Sequence, residues 1–386
     1  MNLATLPALI DWQPRTRLIF GPGVVERAGA LAQELGLRHA LLVCDPGMVR
    51  AGYADRVQDI LEAAGLRVRR FADFSENPDG EMCAAAAAVA RAAHVDGIVA
   101  LGGGSSLDCA KGANFLHADG GAIADFRGYG RVRGTMLPMI GIPTTAGTGS
   151  DAQSYAVLSD AGSHVKMACG DPGAAFRIAL LDPSLTVSQP ASVTAASGYD
   201  ALSHAIEAFV TTSRTPLSQT FAREAFRLVR GQLAHVLQQP DDLDARGAML
   251  LGSHLAGLAI EHSMLGAGHA CANPLTAQFD VTHGIAVSLM LPAVVRWNAA
   301  DVGPLYADLL DGPGTPDPLA GERLAGELEQ VAARCGFPLT LAEAGVGEDA
   351  LPGLAEAAAA QWTGGFNPRP LTRDAALALY RAAYGR

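Results

Sequence analysis

Four residues, Asp200, His204, His269 and His283, are of types that bind a divalent metal. The first two stand in Gly198-Tyr199-Asp200-Ala201-Leu202-Ser203-His204-Ala205-Ile206-Glu207. On a helix, a spacing of four puts this carboxylate and imidazole on one face, about one turn apart. His269 lies in Gly266-Ala267-Gly268-His269-Ala270-Cys271-Ala272-Asn273-Pro274-Leu275, and His283 precedes Gly284. Together they offer one oxygen and three nitrogens, a donor set that suits Fe(II) or Zn(II) better than Mg(II) or Ca(II). Spacing alone does not make the site, because Asp-x-x-x-His on a helix is more often a surface hydrogen-bonded pair.

A second stretch, Gly102-Gly103-Gly104-Ser105-Ser106-Leu107-Asp108-Cys109-Ala110-Lys111, suits a phosphate. Its glycines let a ligand approach the backbone. Ser105 and Ser106 are expected to cap the helix that follows, whose free N–H groups favour an anion. The spacing is neither a Rossmann fingerprint nor a P-loop, and the same text also reads as a plain connector. The run Thr144-Thr145-Ala146-Gly147-Thr148-Gly149-Ser150-Asp151 offers hydroxyls and open backbone to a ligand, or is simply a polar loop. Asp45, at a strand end, suits ribose hydroxyls and would repel a 2′-phosphate; a helix N-cap is the equal alternative. Gly21-Pro22-Gly23 half-matches a dinucleotide turn but lacks the last glycine, and Pro22 removes a donor. It reads as a strand-to-helix turn.

The elements that must position these residues follow from pattern. Strands are expected near 16–20, 39–45, 66–71, 97–101, 139–143 and 179–183, the first of them alternating with helices that run to about residue 35, over 52–64 and over 80–93, and a hairpin pairs 155–160 with 164–168. Such alternation means βαβ units and a mostly parallel sheet, whose ligands sit at the C-terminal strand ends. Asp45, Asn77-Pro78 and the Gly102 turn fall there. Beyond Pro190 the pattern is helical, with candidates near 192–213, 216–238, 241–265, 267–272, 284–298, 319–335, 347–361 and 371–384.

The chain has 386 residues, 49% of them apolar and 17% charged. That composition supports a large core and two domains. A formal charge of −11 without a basic stripe argues against nucleic acid and anionic membrane as partners. The six cysteines form no Cys-x-x-Cys pair and read as reduced thiols. With no signal-peptide pattern at the N-terminus, a cytoplasmic location is expected. The apolar run 248–260 is too short to span a bilayer. Only Lys111 and Lys166 are lysines among 28 basic residues, which draws attention to both.

At this point the segments resemble a known family. The Gly102–Lys111 run, Pro143-Thr-Thr-Ala-Gly-Thr-Gly-Ser150, Asp182-Pro-Ser-Leu-Thr186, Gly198-Tyr-Asp-Ala-Leu-Ser-His-Ala-Ile-Glu-Ala208, His269 with its neighbours, and His283-Gly-Ile-Ala-Val-Ser-Leu-Met-Leu-Pro292 occur in the order of the iron-containing (group III) alcohol dehydrogenases. These belong to the dehydroquinate synthase-like superfamily. The resemblance implies an α/β N-terminal dinucleotide-binding domain over residues 1–184 and an all-α C-terminal metal-binding domain over 185–386. It implies a metal-dependent, NAD(H)-linked interconversion of an alcohol and its aldehyde or ketone. Asp200, His204, His269 and His283 match the ligands of Fe(II), with Zn(II) the alternative. Gly103, Gly104 and Ser105 match the pyrophosphate turn, with Asp108 in the same segment. Asp45 matches the acid that favours NAD, and Asn77 joins the cofactor set. Thr144, Thr145 and Thr148 match the loop beside the cofactor, and Lys166 matches a lysine on the nicotinamide ribose. Lys111 is expected to support the glycine turn. A small alcohol or aldehyde is the expected partner, and a homodimer the expected assembly.

Three positions depart from the family pattern. Asn273 stands where a further histidine is common, so Asn273 and His269 are the catalytic candidates, although an amide cannot shuttle a proton. Asp151 replaces the usual glutamate. His262 replaces a small polar residue and reads as a satisfied helix histidine. A metal- and NAD-dependent cyclising lyase is one alternative; the absence of lysine beyond residue 190 counts against its phosphate- and carboxylate-bearing substrate. A non-catalytic nucleotide-binding homologue is the other, and the complete ligand set counts against it.

Overall fold

Alternating apolar side chains build the first unit. The computed structural model describes residues 12–160 and 166–385. Strands β1 (Arg17–Phe20), β2 (His39–Cys44), β3 (Arg67–Phe71) and β4 (Gly97–Gly102) alternate with helices α1 (Ala28–Glu34), α2 (Pro46–Arg50), α3 (Tyr53–Ala63), α4 (Gly80–Ala92) and α5 (Gly104–Asp119). With β6 (Met139–Pro143) and β9 (Ile178–Leu181), these strands form a parallel sheet in the order β1-β9-β6-β4-β2-β3. Both faces are apolar, as a covered parallel sheet requires. Leu41, Val43, Ile98 and Ala100 pack on α4 and α5, while Ala40, Leu42, Val99 and Leu101 pack on α1 and α3. A second sheet joins β5 (Gly128–Tyr129), β8 (Lys166–Gly170) and β7 (Tyr155–Ser159), with β7 and β8 antiparallel and Ser159 opposite Lys166. Residues 164 and 165 of the expected hairpin lie outside the described residues.

The second unit is helical. Its elements are α6 (Ala191–Val210), α7 (Pro216–Gln238), α8 (Leu243–Glu261), α9 (Ala267–Phe279), α10 (His283–Asp311), α11 (Ala320–Arg334), α12 (Leu351–Ala359) and α13 (Arg373–Tyr384). Helix α6 is buried almost all round from Thr194 to Val210 and packs against α7 and α10, which makes it the core helix of this unit. Two helices run further than their patterns suggest. Helix α9 continues through Pro274 to Phe279, and α10 continues through Pro292 and Pro304 with a non-helical kink at Val302. Helix α10 is long and apolar enough to cross a membrane by length and composition, but 67% of that window is buried, as in the core helix of a folded domain. By packing, the α/β unit comprises Trp12–Gln189 together with Asp241–His254, and the helical unit comprises Pro190–Pro240 with 255–385. The first part of α8 therefore belongs to the α/β unit.

Candidate active site

In the helical unit, α6 presents Asp200 and His204 one turn apart. Helix α9 adds His269 in its first turn, and α10 opens on His283. The Nε2 atoms of His204, His269 and His283 lie 3.3, 3.4 and 3.7 Å from Asp200 Oδ1. Asp200, His269 and His283 each offer a ligand atom within 4.8 Å of the others, and His204 reaches this group through Asp200. Its ring stacks on that of His269, with centroids 4.8 Å apart.

This arrangement fits a metal. Asp200 Oδ1 and His269 Nε2 are buried, face each other, and have no hydrogen-bond partner. Buried polar atoms are rarely left so, because each costs about 1–3 kcal/mol; a shared cation satisfies both. Burial alone would raise the Asp200 carboxyl, but the three imidazoles outweigh it and hold the group well below the ordinary carboxylate range. Burial would lower His269, yet the carboxylates of Glu207 and Asp200 push it up to about 9.

Glu207 is the residue that the ligand pattern alone misses. Its carboxylate bonds His269 Nδ1, accepts from Gly268 N at 2.7 Å, and accepts from His269 N at 3.2 Å. The signal was present, since positions 200, 204 and 207 follow the i, i+4, i+7 rule for one helix face. Asn273 is half-buried and donates from Nδ2 to Gln361 Oε1 at 3.2 Å. His262 falls one residue beyond α8, in a turn rather than in the helix.

In the α/β unit, the glycine turn follows β4 and opens α5, with Gly103 as its N-cap and no side-chain cap. The expected serine caps are not there. The helix starts at Gly104, so both serines lie inside its first turn and point sideways: Ser105 Oγ accepts from Asn77 N at 3.2 Å, and Ser106 Oγ donates to Asp45 Oδ2 at 3.0 Å. Asp45 is at once a helix N-cap, accepting on Oδ1 from Gly47 N and Met48 N, and a neighbour of the glycine turn. The glycines admit the threonine loop. A Cβ on Gly104 would lie 2.5 Å from Thr148 Cγ2, and one on Gly103 would lie 3.0 Å from Thr145 Cγ2. Thr144 N donates to Gly102 O at 3.0 Å. Asn77 is exposed, with a left-handed φ of 52°.

Two clamps hold the end of that loop. Lys111 is fully buried, and its ammonium donates to Ser150 O, Ser150 Oγ, Gln153 O and Tyr155 O at 2.6–3.0 Å. It thus supports the threonine loop rather than the glycine turn. Asp108 accepts from Ser150 Oγ at 2.6 Å and Val157 N at 3.1 Å, so both its oxygens are engaged by protein. Lys166 is half-buried at the start of β8. The second clamp is Asp151, whose Oδ2 lies 2.5 Å from Nδ1 of buried His254 on α8. The Gly21-Pro22-Gly23 turn is no anion site, because Asp182 already takes its Gly23 and Val25 N–H groups at 3.1 Å.

Comparison with known proteins agrees with this chemistry. The family model for iron-containing alcohol dehydrogenase matches residues 14–183, and that for the C-terminal part of the same family matches 194–384. An NAD-dependent methanol dehydrogenase from Bacillus methanolicus is 33% identical over 361 residues, 92% of this chain and 94% of that one. The crystal structure of a 1,3-propanediol oxidoreductase superposes with a TM-score of 0.93 at 31% identity, over 97% of this chain and all of that one. A sulfoacetaldehyde reductase from Bifidobacterium kashiwanohense, solved with NAD+, gives a TM-score of 0.89 at 29% identity, over 98% of this chain and all of that one. The chain belongs to the iron-containing alcohol dehydrogenase family and is an NAD(H)-dependent oxidoreductase of alcohols.

Proposed function

We propose that Asp200, His204, His269 and His283 hold a catalytic divalent metal, Fe(II) or Zn(II), and that the substrate is a short primary alcohol or its aldehyde. The observation that carries the metal assignment is the buried, hydrogen-bond-free pair Asp200 Oδ1 and His269 Nε2. The donor types support a metal of intermediate softness, and Zn(II) has the higher intrinsic affinity, so supply decides the occupant. When bound, such a metal supplies Lewis acidity toward an alcohol or carbonyl oxygen, and NAD(H) supplies the hydride chemistry.

The chain's own residues position these groups. Gly103, Gly104 and Ser105 receive the pyrophosphate at the open start of α5, where free N–H groups and the helix dipole favour an anion. Thr144, Thr145 and Thr148 line that turn, and Asp108 and Lys111 fix the loop that carries them. Asp45 and Asn77 flank the turn, Asp45 favouring NAD over a 2′-phosphorylated cofactor, and Lys166 serves the nicotinamide ribose. Asn273 orients substrate by hydrogen bonding, with one amide hydrogen committed to Gln361. It carries no titratable proton, so proton exchange passes through another group. The relatives are named for methanol, 1,3-propanediol and sulfoacetaldehyde, which fits one metal centre behind differing pockets. A cytoplasmic homodimer completes the reading. The experiment is His269→Ala: turnover of a short aldehyde falls on the order of a thousandfold or more while NADH binding persists. Retained turnover would sink the ligand assignment.

A further inference from the structure

We infer that Glu207 is a positioning residue of the metal centre, setting both the tautomer of His269 and the start of the helix that carries it. The inference rests on the metal reading above. The N-cap of helix α9 is Gly266, which has no side chain to cap it. Its first N–H groups are instead met from other elements. Asn367 Oδ1 accepts from Ala267 N at 3.1 Å, and Glu207 accepts from Gly268 N and His269 N at 2.7 and 3.2 Å. A carboxylate there also meets the positive end of the helix dipole.

The same carboxylate accepts from His269 Nδ1. Taking the ring proton at Nδ1 leaves the Nε2 lone pair directed at Asp200 Oδ1, 3.4 Å away, which is where a ligand nitrogen is needed. Glu207 is itself 3% exposed and held in a close-fitting cradle. A Cβ on Gly268 would lie 2.9 Å from its Oε1, and one on Gly266 would lie 3.0 Å away, so larger residues at either position would push it aside. Asn367 belongs to a separate layer. It exchanges two amide hydrogen bonds with Asn298 at 2.9 and 3.0 Å, and it touches the helix start without touching the imidazole. The two caps therefore separate a metal-orienting role from a purely structural one.

The test compares Glu207→Gln with Asn367→Ala in full-length protein, reading Zn(II) affinity by chelator competition and the visible d–d spectrum of the Co(II)-loaded form. Glu207→Gln should weaken Zn(II) binding by about ten- to a hundredfold and shift the Co(II) spectrum. Asn367→Ala should lower thermal stability while keeping Zn(II) affinity within about twofold and the spectrum unchanged. Unchanged affinity in Glu207→Gln, or an equal loss in both variants, would overturn the inference. If Glu207→Gln does not fold, Glu207→Asp, which keeps the charge but shortens the reach, must weaken binding; full affinity there would overturn it as well. Absence of Zn(II) and Co(II) binding in the unaltered chain would overturn the metal reading itself, and the inference with it.

Discussion

Two buried carboxylates, Glu207 and Asp151, each bond a histidine Nδ1, in different surroundings. In the helical unit, Glu207 bonds His269 Nδ1 and the opposite nitrogen faces Asp200, with the imidazoles of His204 and His283 beside it. In the α/β unit, Asp151 bonds His254 Nδ1, and no cluster of metal-donor groups gathers around it among the described residues. A carboxylate on an imidazole is therefore not itself a functional signature. What decides its role is what the second ring nitrogen faces. Around His269 that nitrogen points at an oxygen that no protein donor satisfies; the Asp151 pair instead ties the end of the threonine loop to α8.

If that contrast holds, substitutions in the two pairs should separate cleanly. The largest effect is on the metal side, where His269→Ala removes a proposed ligand and is expected to remove turnover with it. Next comes His254→Leu. It leaves Asp151 buried without its partner, so we expect a stability loss of about 1–3 kcal/mol in equilibrium unfolding, with Zn(II) affinity within about twofold of the parent. A large loss of metal binding in His254→Leu would erase the distinction between the pairs. The smallest effect lies at the glycine turn. Ser106→Ala removes a 3.0 Å hydrogen bond to Asp45. Losing about 1 kcal/mol there corresponds to roughly fivefold in NADH affinity, readable by fluorescence titration. An unchanged dissociation constant would detach Asp45 from the cofactor.

Pattern carried the architecture well because it is written in local periodicity. The apolar runs at 39–44 and 97–102 became central strands whose alternate side chains feed two different cores, and α6 is buried almost all round although it carries Asp200, His204 and Glu207. Helix ends were harder. Pro274 and Pro304 argue for termination by propensity, but tertiary packing carries α9 and α10 past them. The four candidate donors stood out by residue type and by the family resemblance rather than by spacing alone, and the fold brings their side chains together. Glu207 shares a helix face with Asp200 and His204, but its bond to His269 spans 62 residues and the Asp151–His254 bond spans 103, so both pairings exist only in the fold. Lys111 was singled out correctly as unusual. Its partners sit 39 to 44 residues away, on the threonine loop and at the start of β7, rather than on the adjacent glycine turn.

The most direct test of the account removes the metal and returns it. Protein purified anaerobically and stripped by a chelator should bind NADH but fail to reduce a short aldehyde, and one equivalent of Fe(II) or Zn(II) should restore NADH oxidation. Full turnover by the stripped protein, with metal content verified as negligible, would contradict the central claim that Asp200, His204, His269 and His283 form the catalytic centre.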